Sequence, residues 1–174
     1  MEKVDIDYAF VNGGEAELEA VMNMYGPALF RYCHNILCDY HEAQDALQIT
    51  FIKAYDKRTT FKKDMTLSPW LYKIAYTTCI DLLRKKKLKL LLPQQQTDTN
   101  YIPEQIRKAL LTLSGADRAL VYSRIMEKHS YEELSKIYGE GADTLRKRYE
   151  RARRRLLMVL KEEYPYYAKL EESR

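Results

Sequence analysis

The segment from Ser130 to Leu156 joins hydrogen-bonding and cationic side chains at helical spacing. The chemistry they suit is nucleic-acid recognition. Ser130 and Glu133 form a capping box, each satisfying a backbone N–H at a helix start. Leu134 and Ile137 give that short helix an apolar edge, and Gly139-Glu140-Gly141 supplies a tight turn. Asp143 or Thr144 opens a second helix, whose Leu145, Tyr149, Ala152, Leu156 and Leu160 recur as one buried face. Arg146, Lys147, Glu150, Arg151 and Arg154 fall on its other sides. Such a helix-turn-helix places N-terminal residues of its second helix at base edges and later arginines along phosphates. A solvated basic face is the plain alternative, but the capping box, glycine turn and cationic helix occur together and in order.

The composition agrees with this and excludes other classes. The net charge of +4 hides a polarity: residues 1–50 carry nine acidic and two basic side chains, the remainder sixteen and twenty-seven. A basic remainder suits nucleic acid, and an acidic N-terminal part suits a basic protein partner or simply keeps that part off DNA. No apolar window is long enough for a membrane helix, and Met1-Glu-Lys-Val-Asp-Ile-Asp lacks an apolar leader, so a cytoplasmic protein without membrane insertion is expected. Cys33, Cys38 and Cys79 are an odd set that argues against a disulfide framework. The spacing of Cys33, His34, Cys38 and His41 matches no zinc pattern, so neither a metal nor another cofactor is expected.

The elements that must position these groups read as all-α, in two small helical domains joined by a linker. Residues 1–87 form the first domain, 88–103 the linker and 104–174 the second, which ends in the helix-turn-helix. The linker contains Pro93, three glutamines and Thr97-Asp-Thr-Asn100. In the first domain a short helix near Asp7–Asn12 is broken by Gly13-Gly14. A longer helix follows from about Glu15, burying Leu18, Val21, Met22, Tyr25, Leu29, Tyr32, Cys33, Ile36 and Leu37, with Pro27 interrupting or kinking it. Residues 42–57 turn Ala43, Leu47, Phe51 and Ala54 inward, and Glu42, Asp45 and Gln48 outward. Ser68 and Pro69 start a helix from Trp70 to about Lys87. In the second domain Leu110, Leu113, Leu120, Ile125 and Leu134 form a small core.

Glu42-Ala-Gln-Asp-Ala-Leu-Gln-Ile-Thr-Phe-Ile-Lys-Ala-Tyr55, then Phe61, Ser68-Pro-Trp-Leu-Tyr-Lys-Ile-Ala75 and Ile80-Asp-Leu-Leu-Arg-Lys-Lys-Lys87, resemble bacterial RNA polymerase sigma factors. With Leu110-Leu-Thr-Leu113, Arg118 and the helix-turn-helix, the likeness to the extracytoplasmic function subgroup runs from about residue 10 to 160. It implies a factor that binds core RNA polymerase, recognises promoter DNA and directs transcription initiation. Glu42, Asp45, Gln48, Ile49 and Ile52 would dock on the clamp helices of the polymerase largest subunit. Residues 59–87 would melt and read the element about ten bases upstream of the start. Phe61, Trp70, Tyr72 and Tyr76 would supply rings there, and Lys62, Lys63, Lys73, Arg84 and Lys85 charge. The helix-turn-helix would read the element about thirty-five bases upstream. Asp143, Thr144, Arg146 and Lys147 would meet base edges, and Arg148, Arg151 and Arg154 phosphates. The family also implies an anti-sigma partner that covers both DNA-reading surfaces. Two departures change base preference: Tyr76-Thr77 stands where the family often has Arg-Asn, and Lys147 where a small hydroxyl is usual.

Other classes fit less well. An enzyme would need a phosphate loop, a nucleophile elbow or a metal-spaced histidine set, and none is visible. A stand-alone helix-turn-helix regulator is the alternative, but it would carry a ligand or phosphorylation domain where residues 1–87 offer helices and an aromatic, cationic face.

Overall fold

The computed structural model describes residues 3–61, 66–89 and 102–163, and among these every regular element is helical. The N-terminal half comprises α1 (Lys3–Asn12), α2 (Glu15–Leu37), α3 (Tyr40–Lys57), a 3-10 turn (Arg58–Thr60) and α4 (Leu67–Lys89). The C-terminal half comprises α5 (Glu104–Leu111), α6 (Gly115–Ile125), α7 (Tyr131–Tyr138) and α8 (Ala142–Glu163).

Helices α2, α3 and α4 form a three-helix core, and α1 lies on α2. Ala43, Ala46, Thr50 and Ala54 repeat every three or four residues along α3 and are fully buried. Small side chains there let the neighbouring helices approach closely. Asp39 caps α3 by accepting from the Glu42 N–H at 3.0 Å. Pro27 does not interrupt α2, which is helical from Glu15 to Leu37 with Tyr25, Gly26 and Leu29 buried around it. Met22, expected in the core, is 43% exposed.

Helix α4 begins three residues before the expected Trp70. Leu67 is fully buried, and its N–H donates to Asp7 Oδ2 at 3.1 Å. Asp7 thus takes the capping role that the local sequence assigns to Ser68. Its other oxygen accepts from the Tyr25 hydroxyl at 2.7 Å, which ties α1, α2 and α4 together. Burial, and then the nearby Asp7 carboxylate, push the Tyr25 phenol well above its ordinary range.

In the C-terminal half the capping box is present: Glu133 N–H donates to Ser130 Oγ at 3.2 Å and Ser130 N–H to Glu133 Oε2 at 2.7 Å. Gly139 ends α7 at φ 73°, a left-handed position that glycine takes without strain. Arg118 to Ser123 are all buried, because α6 is packed between α2 and α4 on one side and α8 on the other. Ile125, in the last turn of α6, is 50% exposed and does not join the core as expected. Leu113, Val121 and Ala152 make a small second cluster with Tyr149 and Leu156.

The two halves share one apolar core. Helix α6 lies on α2, and α7 lies on α4. Arg118 Nε donates to the carbonyl of Ile36 at 2.6 Å, while its Nη1 reaches the Leu113 carbonyl at 2.9 Å. The Tyr138 hydroxyl is 3.0 Å from that of Tyr32 and 2.9 Å from that of Ser123. The Tyr32 ring meets Tyr72 edge-on at 4.9 Å, and Tyr76 meets Tyr138 edge-on at 4.7 Å. Edge-to-face rings attract through their quadrupoles, and each hydroxyl is satisfied where it is buried.

Candidate nucleic-acid interface

The solvent side of α8 carries the residues expected to meet DNA. Asp143, Thr144, Arg146, Lys147, Arg151 and Arg154 are all exposed, while Leu145 and Ala152 are buried. The helix is therefore oriented as its periodicity predicts. Arg146 is already positioned: Nη1 donates to Asp143 Oδ1 at 2.8 Å, and the guanidinium lies 5.1 Å from the Tyr131 ring. Arg148, expected on phosphates, is placed differently. It bridges Asp117 at 3.0 Å and Glu140, and its side chain is 18% exposed. This arginine joins α8 to α6 and to the turn after α7. Beside it a recess of about 270 Å³ is lined by Ser114, Asp117, Arg151 and Arg155 among others. Arg155 was passed over in the sequence, although it shares the flank of Arg148 and Arg151 at helical spacing.

Helix α4 presents a second stripe. Trp70, Lys73, Thr77 and Arg84 recur at three, four and seven residues, so they share one side of the helix. Lys73, Thr77, Arg84 and Lys85 are exposed, and Trp70 is half-buried. Thr77 Oγ1 bonds the carbonyls of Lys73 and Ile74 at 3.1 and 2.9 Å. Phe61 is buried, with its ring 5.3 Å from that of Trp70, so it supports the tryptophan from below. Tyr72 is buried too, and Tyr76 is half-buried against Tyr138 of α7. Lys62 and Lys63 lie outside the described residues, as does most of the linker.

The ridge on α3 is divided between solvent and fold. Asp45 and Gln48 are exposed, Ile52 is 55% exposed, and Ile49 is half-buried. Glu42 is engaged within the chain, accepting from Lys86 Nζ at 2.8 Å. An apolar recess of about 340 Å³ opens beside this ridge, lined by Met22, Phe30, Tyr40, Leu47, Gln48 and Phe51 among others. From the sequence Met22, Leu47 and Phe51 read as core and Gln48 as an outward polar group, so no local pattern marks the recess that they line together.

Cys33, Cys38 and Cys79 are free thiols and buried. Burial pushes the Cys38 thiol up from its ordinary value. Among the described residues no group of three or more His, Cys, Asp or Glu could hold a metal ion. Among them, too, no helix is long and apolar enough to cross a membrane.

Comparison with known proteins agrees with this geometry. The model of sigma-70 region 2 matches residues 21–89, which span α2, α3 and α4. SigW, an ECF RNA polymerase sigma factor of Bacillus subtilis, is 25% identical over 172 residues, covering 86% of this chain and 92% of SigW. Among solved structures, CnrH in complex with the cytosolic domain of CnrY aligns with a TM-score of 0.74. That match is at 19% identity and covers 92% of this chain and 97% of CnrH. The sigma factor RpoE from Bartonella quintana, in complex with the anti-sigma factor NepR, aligns with a TM-score of 0.70 at 24% identity, covering 84% of this chain and 98% of RpoE. These two show a shared fold. A region-2 helical core followed by a helix-turn-helix is the arrangement of an RNA polymerase sigma factor of the sigma-70 class. The length and coverage of the match then place it further: this chain belongs to the extracytoplasmic function subgroup and directs RNA polymerase to promoter DNA. A sigma factor is not an enzyme; the bond-forming chemistry belongs to the polymerase.

Proposed function

We propose that residues 1–87 act as sigma domain two, 88–103 as a linker and 104–174 as sigma domain four, with DNA read at two places and polymerase held at a third. Domain four reads the element about thirty-five bases upstream through Asp143, Thr144, Arg146 and Lys147, with Arg151, Arg154 and Arg155 along the phosphates. The observation that carries this is the orientation of α8, which buries Leu145 and Ala152 and turns those polar and cationic groups to solvent. Arg148 holds the domain together in this reading, and Phe61 supports Trp70.

Domain two uses Trp70, Lys73, Tyr76, Thr77, Arg84 and Lys85 for the element about ten bases upstream, with Lys62 and Lys63 in the loop before α4. Rings that stack on bases and cations that grip phosphates favour a melted strand. Asp45, Gln48, Ile49 and Ile52 dock on the clamp helices of the polymerase largest subunit, and Glu42 orients that face through Lys86. Polar groups interspersed with apolar ones suit such an interface. An anti-sigma partner belongs to the same reading, supported by the fold shared with NepR-bound RpoE.

Run-off transcription with purified core polymerase on sheared DNA of the source organism tests the reading. Transcripts from discrete sites are expected only when the protein is added, and Lys147→Ala or Arg146→Ala should reduce them. Tight duplex binding by the protein alone, with no affinity for core polymerase, would favour the stand-alone regulator instead.

A further inference from the structure

We propose that Asp7 of α1 is a positioning residue for promoter reading: it fixes the first turn of α4, and with it Trp70. The proposal rests on the assignment of Trp70 and its helix face to the element about ten bases upstream. The Asp7 carboxylate is used on both oxygens. Oδ1 accepts from the Tyr25 hydroxyl at 2.7 Å, and Oδ2 accepts from the Leu67 N–H at 3.1 Å. A carboxylate held at both oxygens is confined in rotamer, so the acceptor stays aimed at the start of α4. A helix leaves its first N–H groups without intrahelical partners, and α4 has no N–H at all at Pro69. Asp7 brings an acceptor and a negative charge to that end, and both are favourable there.

Helix α1 is seated to do this. Ile6 and Phe10, one turn apart, are 6% and 1% exposed. The helix packs on α2 and on the 3-10 turn Arg58–Thr60. It therefore holds the chain on both sides of the stretch between Thr60 and Leu67, by packing before it and by the Asp7 bond after it. Leu67 is fully buried and anchors the first turn of α4 in the core. Trp70 stands in that same turn, with its ring 5.3 Å from the buried ring of Phe61. Phe61 thus supports the indole from below, while Asp7 sets the turn that carries it. A ring that stacks on an unpaired base binds best when already in place, since ordering it during binding costs affinity. Asp7 acts on the reading face through Leu67, across 60 positions of sequence.

Trp70 is the only tryptophan in the chain, so tryptophan fluorescence reports this turn alone. Three variants of the full chain separate the roles. Asp7→Ala removes both acceptor and charge, whereas Asp7→Asn removes the charge and keeps an acceptor that caps about as well. Tyr25→Phe removes the other bond to the same carboxylate and leaves the Leu67 bond in place. Asp7→Ala should shift the Trp70 emission to the red and raise its quenching by acrylamide. Asp7→Asn and Tyr25→Phe should stay close to native. The binding probe is a single-stranded oligonucleotide carrying the upstream-ten element of a promoter that run-off transcription identifies. Holoenzyme reconstituted with Asp7→Ala should bind it about three- to fivefold more weakly, because fewer molecules present the ordered turn. Asp7→Asn should restore that affinity. Affinity for core polymerase and for the upstream-thirty-five duplex should be native in every variant. Equal losses on all three partners would make the role of Asp7 merely structural and overturn the proposal. An Asp7→Asn variant as weak as Asp7→Ala would overturn it too, by tracing the effect to charge. So would Trp70 emission that Asp7→Ala leaves unmoved. Trp70→Ala checks the reading beneath: oligonucleotide binding as tight as native would remove Trp70 from the site and the proposal with it. Weakening by Trp70→Ala but not by Asp7→Ala would leave that reading standing and overturn the positioning role alone.

Discussion

Arg148 and Asp117 join the recognition helix α8 to α6 of its own domain, with Nη2 and Nε at 3.0 and 3.3 Å from a single carboxylate oxygen. Glu140 completes the clamp from the turn after α7. An arginine that reads from sequence as a phosphate contact is thus the fastener of the helix-turn-helix. Charge-assisted bonds of this kind are worth on the order of 2 kcal/mol when one partner is removed. Arg148→Ala should lower the thermal midpoint of the protein by several degrees. Lys147→Ala, at an exposed position, should leave stability within about 0.5 kcal/mol and weaken DNA binding alone. Calorimetry beside duplex-binding titration separates the two; equal midpoints for both variants would remove Arg148 from this role.

Arg151 and Arg154 are exposed along α8, and their expected work is on phosphates. Each contact to duplex DNA that releases condensed counterions adds about 0.9 to the slope of log affinity against log salt. Alanine at either position should reduce that slope by about one and weaken binding similarly across promoter sequences. Arg146→Ala should instead change the preferred base at one position. Titrations with holoenzyme across a range of salt concentrations, on matched and altered promoters, check both expectations.

The capping box at α7 gives a pH-dependent prediction. The Ser130 backbone N–H, followed by the other Ser130 and His129 contacts, holds the Glu133 carboxyl below its ordinary value. A carboxyl whose folded pKa is depressed contributes stability that is present above its unfolded value, near 4.3, and lost as pH falls through the folded value. Glu133→Gln should therefore flatten the acid side of the stability profile. Ser130→Ala should cost about 1 kcal/mol at neutral pH. Thermal melts across the acid range measure both.

How far these features were legible depends on how far apart their parts lie in the chain. The capping box, the Gly139 turn and the buried face of α8 are written in residues three or four apart, so local periodicity exposes them. Asp7 capping Leu67, Arg118 reaching Ile36, and Tyr138 meeting Tyr32 join residues 60, 82 and 106 positions apart. No local pattern announces such pairs. The same blindness misplaced Ile125 and Met22, since an apolar residue at helical spacing shows a face without showing whether a neighbour covers it. Arg148 differs from Arg151 only through Asp117 and Glu140, one of which lies 31 residues away.

The packing of the two halves around Tyr138 should loosen in alkali. Burial, the dominant cause, pushes the Tyr138 phenol up to about 12, against about 10 for an exposed tyrosine. Burial carries Tyr32 well above its ordinary value too. This packing favours the neutral phenols, so their contribution is complete below about pH 10 and is lost as pH rises through about 12. Tyrosinate absorbance should show a late-ionising fraction that Tyr138→Phe diminishes, and scattering should show expansion over the same window. Expansion that begins well below pH 10 would need another titrating group.

Ile52 and Glu42 share one helix and separate two roles on α3. Ile52 is 55% exposed and borders a ridge with Asp45 and Gln48, so its replacement by glutamate should change stability by no more than about 0.5 kcal/mol. If that ridge meets polymerase, the same change buries a carboxylate in the interface. Core binding should then weaken by at least about tenfold, a difference of 1.4 kcal/mol. Glu42 already accepts from Lys86, tying α3 to the end of α4. Glu42→Ala should release that tie, and Lys86→Ala should do the same, because each variant breaks one bond. A double-mutant cycle on folding stability should show coupling between Glu42 and Lys86 but none between Ile52 and Lys86. Measured against core polymerase, Ile52→Glu should be the more damaging variant and Lys86→Ala the milder. The reverse order would move the docking surface from the α3 ridge to the face formed by α3 and α4 together.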